Sequence, residues 1–433
     1  VRDAFVTPNT VQAIGQLQRA GRQTILKFSH GPVKRPFCPW CTLRIAHVIT
    51  RMIVGGAQEN TLLSCKDALR LHGDETLLIT GPALGPEGDL LAREGAGEVP
   101  VQLLDALRRP INAWRDPLAY RALRRAIRAY QPDVVHTHSA KAGMLGRMAA
   151  WSLGVPAIIH TVHGAPFHEY QSRLARELFR RCERYAARRC HHLVSVADAM
   201  TDRLVQAGVA PRDKFTTVYS GMDVEPFLEA DRHRQRVRSE WGFRDQDVVV
   251  GKIARLFHLK GHEYVIEAAS DIVRQCPQVR FLLVGDGILR ASLENQIAAA
   301  GLTSHFRFTG LVDPRQIPEL IGAMDVLVHA SLREGLARAL PQALIAGKPV
   351  ISYDVDGARE VVIPEQTGFL LPPRSVTPLA HAVQQLADSP DLRQRLGQQG
   401  RQRFTDQFRH QEMARQLRAL YQHVLAKPPP VSP

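Results

Sequence analysis

The stretch from Asp325 to Asp354, DVLVHASLREGLARALPQALIAGKPVISYD, decides how this chain folds. It opens on a short apolar run, crosses a polar segment containing Glu334 and Gly335, turns helix-like, and closes on a second apolar run. Pro341 suits a first helical turn, where its missing N–H costs little. Gly347 is placed to cap the helix, with Lys348 beside its negative end. Short buried strands joined by a helix form a parallel sheet covered on both faces.

The same rhythm runs outward from this unit. RIAHVIT, ETLLIT, VPVQLL, DVVHTH, PAIIHTVHG, HHLVSV and KFTTVYS read as one series of strands. A charged interruption, GMDVEPFLEADRHRQRVRSEWGFRDQD, follows. The alternation then restarts with VVVGKIAR, VRFLLVGDG, HFRFTG, DVLVHAS, KPVISYD and GFLLPP. The expected fold class is α/β, with two doubly wound Rossmann-like domains facing across a cleft. At 433 residues the chain is too long for one ordinary core. The expected divisions are residues 44–225 for a first domain, 226–245 for a linker and 246–405 for a second domain. A helix over 406–426 returns toward the first domain, and 1–43 and 427–433 read as a poorly ordered extension and tail.

Hydrophobic residues make up 45% of the chain and charged residues 23%, the balance of a soluble globular protein. The net charge of +14, mostly arginine, favours anionic partners: phosphates, a membrane surface or nucleic acid. Nucleic acid is the weakest of these, because RNA-binding aromatic signatures and zinc-finger spacings are missing. Six cysteines, scattered apart from the first two, fit a reducing cytoplasm better than a disulfide framework. CPWC, from Cys38 to Cys41, lacks a second CxxC and reads as a chance pair.

Ligands of open parallel sheets sit beyond the carboxyl ends of strands, so the loops there carry the chemistry. ARLFHLKGHEY places Arg255 and Lys260 before a helix opened by Gly261, a receptor for phosphate. Gly285 and Gly287, around Asp286, allow close backbone approach to a flat ligand. Glu334 falls just past a buried strand, and the amides of Gly335, Leu336 and Ala337 follow it into the cleft. Gln342 lies eight residues beyond Glu334, and on an ideal helix that step leaves about 80° of rotation, so the two flank one ligand.

Taken together and in order, GKIARLFHLKGHEY, FLLVGDG, HFRFTGLV, LREGLARALPQALIAGKPVISYDVDGAREVV and TGFLLPP resemble the second domain of family-four retaining glycosyltransferases of the GT-B fold. RIAHVITRMIVGGAQ, TVHG and TTVYSGMDVEPF resemble that family's first strand and glycine loop, its active-site histidine segment and its linker. The likeness runs from about Arg44 to about Gln422.

The resemblance implies an enzyme that moves a sugar from a UDP- or GDP-linked donor to a glycan or lipid-linked acceptor. Retention would follow a same-face route. Arg255 and Lys260 would hold the pyrophosphate, Glu334 the donor sugar, and His163 would stand beside that sugar. Gly285, Gly287, Gly310, Val312, Gly335, Leu336 and Ala337 would complete the donor side. Gly55 and Gly56 would line the acceptor side, with Gly56 also approaching the donor. Gln342 stands where the family has a ribose-binding glutamate, which implies a modified donor pocket. No permanently bound cofactor or metal is expected. Asp354 and Asp356 only superficially match a manganese-binding DxD, and Glu360 matches the acid that ends the family's turn there.

The helix QSRLARELFRRCERYAARRC carries Leu174, Leu178, Cys182 and Tyr185 at helical spacing among the arginines from Arg173 to Arg189. Relatives with membrane acceptors use a basic surface in this domain, which implies a cytoplasmic protein in peripheral contact with anionic lipid. Two other readings stay open on sequence: a nucleotide-sugar epimerase of the same architecture, and a degenerate nucleotide-sugar-binding protein.

Overall fold

The computed structural model describes residues 41–85 and 88–427. Most of the N-terminal extension, including Cys38 of CPWC, and all of the tail beyond Lys427 lie outside them. Cys65, Cys182, Cys190 and Cys276 are unpaired thiols.

The first sheet contains β1 (Arg44–Arg51), β2 (Glu75–Gly81), β3 (Val101–Leu103), β4 (Val134–His138), β5 (Ala157–Val162), β6 (His192–Ser195) and β7 (Phe215–Thr217). The second contains β8 (Val248–Ile253), β9 (Val279–Val284), β10 (Phe306–Gly310), β11 (Val326–His329), β12 (Val350–Tyr353) and β13 (Gly368–Leu371). Their orders are β3-β2-β1-β4-β5-β6-β7 and β10-β9-β8-β11-β12-β13. The strands pair in parallel in both sheets. β4, β5, β6, β11 and β12 are buried at every position, which is why they read as apolar runs without alternation.

Each sheet reverses its winding at one place, between β1 and β4 and between β8 and β11. A crevice opens at such a switch point, beyond the strand ends. The loops after β1, β8 and β11 therefore meet around one space.

The segment between the sheets is short-helical. Its Phe227, Ala230, Val237 and Phe243 are buried against Leu320, Met324 and Leu327 of the second domain. The helix His410–Ala426 crosses to the first domain, where Leu417, Tyr421 and Val424 pack with Ile45, Val134 and Ile159. The helix of the opening stretch is Ala339–Ile345, with Pro341 in its first turn and Gly347 at φ 74° just past its end. Lys348 departs from expectation: its Nζ lies 2.6 Å from Asp231 Oδ1, so a carboxylate has taken the place of the helix carbonyls.

Candidate functional site

Gly261 shows how the sequence sets the loop after β8. It stands at φ 66° at the N-cap of helix His262–Gln275, and a Cβ there would fall 1.8 Å from the Ala330 carbonyl oxygen. Only glycine lets the loop after β8 lie against the loop after β11. Gly285 works likewise, at φ 133°, where a Cβ would meet the Ala254 oxygen at 2.3 Å.

That close approach brings Lys260 to Glu334. Lys260 Nζ donates to Glu334 Oε1 at 2.5 Å, and His329 Nε2 lies 3.4 Å from the same oxygen. Burial alone would raise the Glu334 pKa, but the His329 ring and the Lys260 charge outweigh it and hold the carboxyl well below its usual range. Glu334 is thus a fixed anion and an acceptor of hydrogen bonds. Its own amide donates to Asp356 Oδ2 at 2.8 Å. The next three amides, of Gly335, Leu336 and Ala337, donate to no other described residue. Consecutive N–H groups left without partners can receive an anion.

A cavity of about 660 Å³ lies here, walled by Arg255, Lys260, Gly285, Val312, Glu334, Ala337 and Gln342 from the expected set. The Arg255 guanidinium also sits 5.0 Å from the Phe257 ring. Gly56, His163, Gly287, Gly310, Gly335 and Leu336 are not on that wall. Gly310 pairs with Gly285, its carbonyl accepting from the Gly285 amide at 3.2 Å. Gly287 follows Asp286, whose carboxylate accepts from its amide. Gly335 packs on the carbonyl of His163, and Leu336 reaches the core of the first domain.

Glu334 and Gln342 do not share a helix, contrary to the expected helical step between them, because the helix begins only at Ala339. The loop from Glu334 to Arg338 brings both to the cavity instead. Asp354 pairs with Arg359 at 2.7 Å, while Asp356 pairs with Arg203 and caps the Glu334 amide, so the two carboxylates work separately. Glu360 accepts from the amides of Asp198 and Ala199, each at 2.9 Å, tying the second domain to a helix N-terminus of the first.

Several residues escaped the sequence reading. Arg338 reaches across the cleft to Glu59 at 2.9 Å and donates to the Gly56 carbonyl. Beneath Glu334, the polar atoms Lys252 Nζ, His262 Nδ1, His329 Nδ1 and Ser331 Oγ are buried without hydrogen-bond partners among the described residues. A lysine inside VVVGKIAR was the available signal. In the first domain His47, His136, His138 and His163 form a contiguous group of rings. Nitrogens of the first three lie within 4.8 Å of one another, a spacing a metal ion would accept. His136, however, spends Nδ1 on Tyr421 Oη at 2.6 Å and Nε2 on Thr161 Oγ1 at 2.7 Å. The motif DVVHTHS held the signal, since His136 and His138 share one face of β4.

Comparison with known proteins agrees with this fold. The model for Glycosyl transferases group 1 matches residues 233–403, and that for the Glycosyl transferase 4-like domain matches residues 56–221. The GDP-mannose-dependent alpha-mannosyltransferase of Mycobacterium tuberculosis is 30% identical over 369 residues, 80% of this chain and 90% of that protein. The Escherichia coli UDP-Gal:alpha-D-GlcNAc-diphosphoundecaprenol alpha-1,3-galactosyltransferase is 27% identical over 353 residues, 81% of this chain and 89% of that one. The crystal structure of Anabaena HepE in complex with UDP shares the fold, with a TM-score of 0.73 at 23% identity over 87% of this chain and 99% of that one. With both halves matched and a relative aligned over nearly its whole length, the chain belongs to the family-four-type glycosyltransferases of the GT-B fold.

Proposed function

We propose that this glycosyltransferase acts with retention and without a metal, moving a hexose-type sugar from a UDP- or GDP-linked donor to a glycan or lipid-linked acceptor. The observation that carries the reading is the convergence of Arg255, Lys260, Glu334 and Ala337 on one cavity, where the Ala337 amide donates to no other described residue. As the glycosidic bond breaks, the leaving diphosphate gains negative charge. Fixed cations and N–H dipoles stabilise that charge more than they stabilise the ground state. Glu334, kept ionised by Lys260, serves as acceptor to sugar hydroxyls rather than as an acid. On the retaining route the departing phosphate oxygen takes the acceptor hydroxyl's proton on the face it leaves. Gln342 accepts from one ribose hydroxyl and donates to the other, where a glutamate would accept from both.

The donor classes follow the relatives, one GDP-mannose-dependent and one using UDP-galactose. The second of these acts on a diphosphoundecaprenol-linked sugar, which supports a lipid-linked acceptor. No helix among the described residues is long and apolar enough to cross a membrane. Peripheral contact is supported by helix Arg173–Ala187, where Leu174 is 86% and Leu178 59% exposed between arginines.

A thermal-shift screen against nucleoside diphosphates tests the reading. One base should raise the melting temperature in wild type and fail to do so in Lys260→Ala. A shift of equal size in both proteins would remove the proposed site. Supplying donor alone and finding an isomerised nucleotide-sugar would favour the epimerase reading.

A further inference from the structure

His163 does not stand alone. Its Nε2 lies 3.2 Å from His138 Nδ1, and His138 Nε2 lies 3.1 Å from His47 Nδ1. The chain ends there: His47 Nε2 is buried and has no partner among the described residues. At the other end His163 is only partly buried, and its Nδ1 bonds to no described residue. The backbone register builds the chain, with His47 on β1 and His138 on the adjacent β4, and His163 one residue past β5.

A neutral imidazole has one N–H and one lone pair, so two hydrogen bonds in series run in one of two directions. In the first, His47 donates from Nδ1 to His138 Nε2. His138 then donates from Nδ1 to His163 Nε2, and His163 carries its own proton on Nδ1. In the second, every arrow reverses and His47 is left with an N–H on Nε2, sealed from water and facing no acceptor. A sealed N–H without an acceptor is a costlier orphan than a sealed lone pair. The first direction wins.

We propose that His47 and His138 are positioning residues that hold His163 as the Nδ1–H tautomer, so that it offers a hydrogen-bond donor, and not a lone pair, on the side facing away from His138. The group it would meet is an acceptor oxygen, a sugar hydroxyl or a phosphate oxygen. This role for His163 rests on the function proposed above, while the tautomer itself does not. Burial keeps the chain neutral, with the His47 pKa lowered to about 3 and that of His163 to about 4 by burial and by Arg338. His136 lies outside the relay because Tyr421 and Thr161 engage both its nitrogens.

The test is a long-range proton–nitrogen correlation spectrum of the full chain, labelled with ring-15N histidine at pH 7.5. His163→Gln identifies the His163 signals. The inference expects a protonated Nδ1 and a bare Nε2 on His163, and the same on His138. His138→Asp, which can only accept, should convert His163 to the Nε2–H form and slow nucleotide release on the order of tenfold or more. His138→Asn, which keeps an N–H, should restore the Nδ1–H signal. A wild-type spectrum with the proton on His163 Nε2, or with His163 as imidazolium, overturns the inference. A stoichiometric metal ion on the purified chain also overturns it, because the metal would occupy the lone pairs that the relay needs. Should His138→Asp fail to fold, the wild-type spectrum still decides, and it does so whatever the protein's donor proves to be.

Discussion

Lys260 Nζ and Glu334 Oε1 meet at 2.5 Å across the gap between the loops after β8 and β11. Each is only about one-fifth exposed, with side-chain accessibilities of 21% and 20%. In the proposed reading, the pair joins the residue that would face the phosphate to the one that would face the sugar. Lys260→Met would strand the carboxylate beside His329 and lower stability by about 2 kcal/mol. Denaturant melts of the ligand-free protein measure that loss, and a variant as stable as wild type would mean the two side chains do not hold each other in solution.

Acid should unfold this protein early. Burial holds His47 at about 3 and His163 at about 4, and keeps His136, His138 and His160 well below the ordinary 6.5. Below pH 6.5 the unfolded chain binds protons that the folded chain refuses, so stability falls as pH falls, down to the folded values. Each such histidine removes about 1.4 kcal/mol per pH unit in that window. Several acting together exhaust an ordinary stability between roughly pH 5 and 6. Circular dichroism against pH should show the transition there, and a native signal persisting to pH 4.5 would contradict it.

Lys252 works in the opposite range. It is 1% exposed with no partner for Nζ among the described residues, and burial, together with the Lys260 charge, lowers its pKa from 10.5 to about 7. Between those values the unfolded chain carries a proton the folded chain has lost, so this residue's cost is full below pH 7 and fades as pH rises to 10.5. Lys252→Met should raise the melting temperature by about 5 °C at pH 7 and by less at pH 10. An equal gain at both pH values would show that charge is not the cause.

Gln342→Glu should tighten donor binding. A carboxylate makes charge-assisted bonds to both ribose hydroxyls, a gain of about 1 kcal/mol or roughly fivefold in affinity. Calorimetry with the preferred nucleoside diphosphate measures it. Weaker binding would mean that the glutamine is matched to a different group.

Much of this was legible in the sequence because parallel strands buried on both faces are written as short apolar runs, and their order places the loops. The seven runs from RIAHVIT and the six from VVVGKIAR became the two sheets. Arg255, Lys260, Glu334 and Gln342 could be found because each lies just past a strand or on the helix that follows. Pairings over long sequence separation were not legible. Arg338 with Glu59, Glu360 with the Asp198 amide, and Tyr421 with His136 each join segments that only the folded chain brings together. The starting point of the helix at Ala339 was likewise hidden, since helix ends depend on tertiary contacts as much as on local residues.

The most direct test of the proposed phosphate receptor is nucleotide release from the preferred nucleotide-sugar, measured in a metal chelator for wild type, Arg255→Ala and Lys260→Ala. Turnover should persist in the chelator for wild type and fall about a hundredfold in either variant, the cost of about 3 kcal/mol of lost transition-state stabilisation. Wild-type activity that vanishes in the chelator, or variants that release nucleotide at the wild-type rate, would contradict the account.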